Sequence, residues 1–321
     1  MSFYDMDLES QIAGNHELYE IERIVGFSKM VYRFKSLEKN LGRSGYGVLA
    51  GIKAIYLQFH YDLSDRELEK RLRFDMVFRW FCGFTAFEDT PDHSFFCRFR
   101  KLMGTKKIGE LFKVIVNRAK DAGIMRSVFR FADATNIVTK GSTWEERDRA
   151  LAAGKTGVNN NNIEDYSADK EARFGCKGTS KFWFGYKAHA CVDMGSNMIE
   201  RIAATPANIS DQEGFGHVCP KNGEMVFADK AYCLKKAQDA MKKNGAHSAA
   251  ILKRNMKDKN KDLDRWRSKV RAPFEGVFSK FEKRARYRGL AKVQLQLFMD
   301  AIVWNVKRLV TMNPPPFFAG A

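Results

Sequence analysis

Two short apolar runs in this chain end in the same way. "SVFRFADATNI" carries Val128 and Phe129 into Phe131-Ala132-Asp133, and "EMVFADKAY" carries Met225 and Val226 into Phe227-Ala228-Asp229. Short runs rich in aromatic and β-branched residues, bounded by polar ones, read as buried strands. A carboxylate where such a strand ends lies at the rim of a sheet, where ligands of α/β proteins collect. If the two strands are neighbours, their carboxylates meet at one spot. The chain must therefore build a covered sheet and must deal with two acids at its edge.

Upstream of residue 126 the periodicity is helical. Residues 1–40 are polar and read as one or two surface helices, whereas Val48, Leu49, Ile52, Ile55, Tyr56 and Phe59 mark a buried helix. Ser64 and Glu67 form a capping box, with Leu63 and Leu68 at the staple positions. Thr90 is the expected N-cap of a further helix, with Pro91 at its first position. That helix would turn Phe95, Phe99 and Leu102 or Met103 inward, leaving Arg98, Arg100 and Lys101 in solvent. Short helices closing on a basic one suggest a helix-turn-helix; a bundle with a solvated basic face accounts for the same residues.

After residue 125 the pattern mixes. A strand over 127–133 is followed by a short helix with Thr143 and Glu146 as a second capping box, then by a polar Gly- and Asn-rich loop over 154–180. "FWFGYKAHACVD" and "NMIERIAATPAN" read as hairpin strands around "MGSN". Next come the second Phe-Ala-Asp strand, a helix ended by Gly245 and a strand at "HSAAILKR". Val270, Phe274, Val277, Phe278 and Phe281 form one apolar helical face, with Pro273 marking the start of that helix, and a last amphipathic helix covers 290–311. The expected class is α+β: a mixed sheet flanked by helices over 126–312, an all-helical domain over 1–125 before it, and an extended Pro-rich tail over 313–321.

Charge narrows the function. Fifty-five Lys and Arg against 38 Asp and Glu give +17, a surplus that attracts polyanions. Fourteen Lys and Arg against five acids fall between Lys253 and Arg288, so more than half of the surplus sits in one short stretch. A membrane partner is disfavoured, because Lys53 and Asp300 interrupt the longest apolar runs well short of the roughly 20 residues a spanning helix needs. "MSFYDMDLES" lacks a signal-peptide pattern, so the expected location is the cytoplasm or nucleoid. Six cysteines without CxxC spacing argue against zinc and for small buried hydrophobes, Cys82, Cys97 and Cys191 sitting in apolar surroundings.

Two uncompensated carboxylates side by side repel, and a divalent cation with hard oxygen ligands removes the conflict. A third acid should come from a nearby helix, and Glu275 at the margin of the apolar stripe is the candidate, flanked by Arg271. Lys187 and His189 share a strand face that approaches either DNA or the acids; a satisfied sheet histidine is the other reading. Trp266, among basic residues, is placed to stack on an unpaired base or to join the core. Tyr232 either stacks on DNA or packs beside the second strand, and Asp193 and Asp211 are expected to end strands or cap turns.

These residues together resemble a family, the DDE transposases of bacterial insertion sequences, and within it insertion-sequence family five of the RNase H-like group. "LSDRELEKRL", "FRWFCGF" and "TPDHSFFCRFRK" resemble its N-terminal helical domain; "FGYKAHACVD", "TPANISD" and "FADKAY" are similar to its Tyr-Gly-Tyr-Lys-x-His, Thr-Pro-Ala-Asn and Ala-Asp-Lys-Gly-Tyr blocks. The resemblance puts the catalytic, metal-holding triad on Asp133, Asp229 and Glu275, with 95 and 45 residues between them. Of the signature Tyr-x2-Arg-x3-Glu-x6-Lys, Arg271 and Glu275 match, while Ser268 replaces the Tyr and Glu282 the Lys, with Lys283 one step later. It implies two Mg²⁺ ions (or Mn²⁺), Asp133 bridging both, and cleavage of transposon ends followed by joining of the 3′-hydroxyls to target DNA. DNA contacts would come from Lys187, Lys230, Lys253, Arg254, Trp266, Arg271, Lys280, Lys283 and Arg284, with the protein a homodimer or higher on its terminal inverted repeats and target DNA. A metal-dependent nuclease without strand transfer, or a domesticated copy that binds without cutting, uses the same residues.

Overall fold

The computed structural model describes residues 3–13, 16–40, 45–140, 144–256, 259–279 and 281–315. The chain divides into two compact units, Met1–Ala122 with Met299–Ala321, and Gly123–Phe298.

The first unit is helical. α1 to α7 occupy Phe3–Ile12, Glu17–Val25, Phe27–Val31, Val48–His60, Asp65–Phe74, Met76–Cys82 and His93–Asp121. α4 is buried on nearly every side, as its run of apolar residues requires, and its polar members are satisfied internally. Lys53 pairs with Glu22 at 3.0 Å, and His60 contacts Tyr56 and Glu17. The Ser64–Glu67 capping box opens α5 as expected. Two details differ. The N-cap of α7 is Asp92, whose carboxylate accepts from the Phe95 amide, so the helix starts two residues later than Thr90 and Pro91 imply. Arg100 is not a solvent residue: its guanidinium grips Asp65 through two bonds and Gln58 through a third. Gly104, at φ 60° and ψ 174°, kinks α7.

The second unit holds a six-stranded mixed sheet. β1 (Phe129–Val138) is central, antiparallel to β3 (Lys181–Asp193) on one side and parallel to β5 (Met225–Phe227) on the other. β2 (Arg173–Lys177) and β4 (Ile199–Pro206) pair with successive stretches of β3, and β6 (His247–Ser248) lies beyond β5. One face packs Ala132, Cys191 and Val226 onto the cluster of Phe215, Tyr232 and Met241. On the other, Phe131 meets Phe274 and Phe278 at 6.1 and 5.8 Å between ring centroids. The neighbours Phe131 and Ala132 thus pack into different layers, as strand alternation demands. A buried ion cluster lies beneath the start of β1: Arg130 binds Asp193 at 2.7 Å, Glu200 at 2.5 Å and Glu224.

The helices of this unit are α8 (Trp144–Ala152), α9 (Ile163–Tyr166), α10 (Asp211–Gly214), α11 (Lys235–Asn244), α12 (Lys261–Arg271) and α13 (Glu275–Ser279); α14 (Leu290–Met312) is divided between the units. The region expected as a loop over 154–180 contains α9 and β2, whose "RFGCK" has neither alternation nor an apolar run. The strand expected at "HSAAILKR" is regular only at His247 and Ser248, and the Ala249 and Ile251 amides continue its bonding to the Val226 and Ala228 carbonyls. The helix near Glu275 does not begin at Pro273; α12 precedes it, and Ala272–Phe274 forms a 3-10 turn where proline has no N–H to continue the ladder. Thr143, half of the second expected capping box, lies outside the described residues. Cys82, Cys191, Cys219 and Cys233 are buried, but Cys97 and Cys176 are exposed rather than part of a core. Among the described residues no helix is long and apolar enough to cross a membrane.

Candidate active site

Parallel pairing brings the two acids together. Phe129, Arg130 and Phe131 of β1 face Met225, Val226 and Phe227 of β5, and the same register carried two residues on sets Asp133 beside Asp229. Asp229 stands just past the carboxyl end of β5, at the rim where α/β sheets bind ligands, whereas Asp133, expected at a strand end, lies within β1, which pairs with β3 as far as Val138. Each carboxylate is aimed by the chain just after it. Asp133 Oδ1 accepts from the Ala134 amide at 2.8 Å, and Asp229 Oδ1 from the Ala231 amide at 2.7 Å. The second oxygen of each accepts no hydrogen bond from any described residue.

Electrostatics register the crowding. Burial first, then the Asp229 and Asp211 carboxylates, push the Asp133 carboxyl up to about 6 against the opposing pull of the Ala134 amide and Arg271. Tyr232 lies at the same place: burial above all, with Asp133, Asp211 and Asp229 nearby, holds its phenol well above the usual range. Its buried hydroxyl has no hydrogen-bond partner among the described residues.

The third acid arrives from the opposite layer. The Phe131 contacts seat Phe274 and Phe278 on β1, and Glu275 lies between them in sequence. Its carboxylate is held by Arg271 at 2.9 Å, and the charge of the same guanidinium pulls the Asp133 carboxyl down. The buried Arg271 Nε has no partner among the described residues.

The donor set suits a divalent cation at the aspartate pair: two hard oxygens stand ready, and the raised Asp133 carboxyl marks a charge conflict that a cation relieves. Glu275 is engaged with Arg271, and no three His, Cys, Asp or Glu side chains among the described residues form a group tight enough for an ion. The structure therefore brings two of the three expected ligands together and puts the third one ion pair away.

The expected DNA contacts have different surroundings. Lys230 is exposed directly after Asp229, Arg254 is exposed, and Lys253 is half-buried. Trp266 is 53% exposed and packs edge-on against Phe227 at 5.8 Å, so both of its expected roles are open to one side chain. Lys283 and Arg284 expose their side chains while their backbone is tied to Val138. Lys280 lies outside the described residues. Lys187 points inward, onto Asp211 at 2.8 Å and the Trp183 ring. His189 is fully buried, bonded through Nε2 to Thr205 at 2.8 Å while its buried Nδ1 has no partner among the described residues, and burial pushes its imidazole down to about 4; it is a sheet histidine satisfied at one nitrogen only.

Asp193 ends its strand as expected, in the Arg130 cluster, whereas Asp211 is not the cap: Ser210 caps α10 and Asp211 is its first residue. It pairs with Lys187, raises the Asp133 carboxyl and lines a cleft of about 450 Å³ with Lys187, Ser210, Ala231 and Leu234. Its place in "NISDQEG" after a strand gave only a turn signal; the folding of α10 beside β3 makes it a neighbour of the acids.

Comparison with known families accords with this geometry. The model described as Transposase DDE domain matches residues 126–306, and the one described as Transposase domain (DUF772) matches residues 6–102. No solved structure matches the chain.

Proposed function

The chain belongs to the transposase DDE domain family, and from that premise we propose that it cuts transposon ends and joins the freed 3′-hydroxyls to target DNA, as a member of insertion-sequence family five. The observation that carries this reading is the register-locked pair Asp133 and Asp229 on a mixed RNase H-like sheet. The family normally works with divalent metal ions. Held by Asp133 and Asp229, such ions supply Lewis-acid activation of the attacking hydroxyl and neutralise charge on the scissile phosphate.

The remaining work falls to the chain's own side chains. Backbone amides of Ala134 and Ala231 fix one oxygen of each aspartate and leave the other facing the site. Arg271 holds Glu275 in the DNA-free protein; an arriving phosphate offers the guanidinium a second anion, and the carboxylate is then released toward the aspartate pair. Lys230, exposed beside Asp229, is placed to bind the same phosphate backbone, and Trp266 to stack on an unpaired base at a cut end. Arg254, Lys283 and Arg284 extend the cationic track from which a homodimer would grip its terminal repeats in the nucleoid.

The test is cleavage in vitro. With Mg²⁺ or Mn²⁺ the protein should nick a duplex carrying the inverted repeats that flank its gene, and a labelled cut end should become joined to a second duplex. Asp133→Ala and Asp229→Ala should each lower the rate at least about 10³-fold while DNA affinity changes less than about threefold. Cutting that survives either change, or proceeds in chelator, defeats the assignment; cutting without joined product identifies a nuclease instead.

A further inference from the structure

β2 and β3 form a hairpin that runs past the end of the sheet. β1 ends at Val138, opposite Gly185, while the β2–β3 pairing continues outward to Lys177 opposite Lys181. Because β3 is antiparallel to β1, this overhang lies beyond the carboxyl end of β1, the same end at which β5 runs out into Asp229. Phe182 stands eight residues along β3 from Ala190, the partner of Asp133, so the tip reaches about 27 Å from the acids at about 3.4 Å per residue, or about eight base pairs of duplex.

The tip is built against its own stability. Lys177 and Lys181 face each other directly across the strands, a like-charge pair that weakens a hairpin. Neither makes an ion pair among the described residues, and the chain has no acid between Glu171 and Asp193 to offset them. Arg173 and Lys187, the other cations of that stretch, are already committed to Glu164 and Asp211. Phe182, beside the lysines, is 68% exposed, whereas Phe174 and Phe184 below it pack at a tilt with ring centroids 4.8 Å apart and stiffen the base. Lysine on an edge strand can serve to block aggregation, but an exposed aromatic ring at the same tip works against that purpose. Paired cations around a bare aromatic on a stiff finger suit a nucleic acid, whose phosphates neutralise the lysines and whose bases cover the ring.

We propose that the β2–β3 hairpin is a second DNA contact, with Lys177 and Lys181 on the backbone and Phe182 against bases, engaging the duplex about eight base pairs from the cut. This rests on the transposase reading, but its readouts are binding measurements that need no cleavage. The full chain is titrated with a fluorescent 30-bp terminal-repeat duplex ending in three unpaired bases, at several KCl concentrations. The double variant Lys177→Gln, Lys181→Gln should bind about tenfold more weakly at 150 mM KCl and flatten the log–log salt slope by about 2. Phe182→Ala should bind about fivefold more weakly with the slope unchanged. In a Cys97→Ser background, the exposed Cys176, cross-strand partner of Phe182, should form a disulfide with a thiol tethered to the duplex about eight base pairs from its cut end.

Unchanged affinity and slope in all hairpin variants, or no crosslink at Cys176, overturns the proposal. So does a change of oligomeric state with DNA affinity intact, which would make the hairpin a protein contact. If the wild-type chain itself fails to bind DNA, the transposase reading fails, an outcome distinct from a wild type that binds and hairpin variants that bind equally well.

Discussion

At the scale of single residues, the site is held at some expense to the fold. Asp133 has its carboxyl raised to about 6, so the folded protein holds this proton more tightly than the unfolded chain does. The stabilisation from a protonated Asp133 is fully present below about pH 4, the unfolded value, and is lost as pH rises through about 6. At neutral pH the ionised side chain is a liability in the protein without metal. Asp133→Asn should therefore raise stability by about 1–2 kcal/mol at pH 7.5 in chelator, the discounted worth of a two-unit shift, and leave it unchanged at pH 4. Thermal melts at the two pH values check this; an equal gain at both would mean that the charge is not the cause. The same variant should not cut DNA.

The elements show how sheet pairing carries the site. Gly185 is the joint at which β3 leaves the sheet and becomes the hairpin. Its φ is +150°, and a Cβ there would stand 2.2 Å from the Ile137 carbonyl oxygen, a backbone atom of the neighbouring strand. Gly185→Ala should cost about 2–3 kcal/mol by forcing β1 and β3 apart, seen as a large fall in melting temperature. A melting temperature within a degree of wild type would show that the joint is free to relax. The elements least legible in the sequence are those made by pairing alone. β2 has no strand pattern of its own and is recruited by the apolar Phe182-Trp183-Phe184 of β3, and β6 is regular over only two residues although the Ala249 and Ile251 amides go on bonding the Val226 and Ala228 carbonyls. α12 was hidden by its composition: seven of its 11 residues are charged, and what anchors it are Asp264 to Lys259 and Arg267 to the Ala250 carbonyl.

For the whole molecule the governing quantity is +17. Affinity for any duplex should fall at least about 100-fold between 50 and 200 mM salt, as expected when several phosphates displace their counterions. A salt-insensitive affinity would remove the argument from charge. The helical unit and the sheet unit read differently from sequence for one reason. Helical periodicity and the Ser64–Glu67 box are local, so α4 and α5 were legible at once. The six-stranded order depends on contacts between distant strands, and only its β2–β3 and β3–β4 hairpins are local.

The sequence by itself determined the acids, the basic stretch from Lys253 to Arg288 and the place of Asp229 just past its strand, because residue type and short-range pattern are local properties; it did not show that β1 runs on past Asp133 to Val138, which depends on pairing with β3. Tertiary structure alone decided that β1 and β5 lie side by side in a register that sets those two carboxylates together, that Glu275 is held on Arg271, and that Lys187 is turned inward onto Asp211. Each of these joins residues whose charges must be neutralised or buried, and which partner does so depends on what the folded chain brings within a few ångströms.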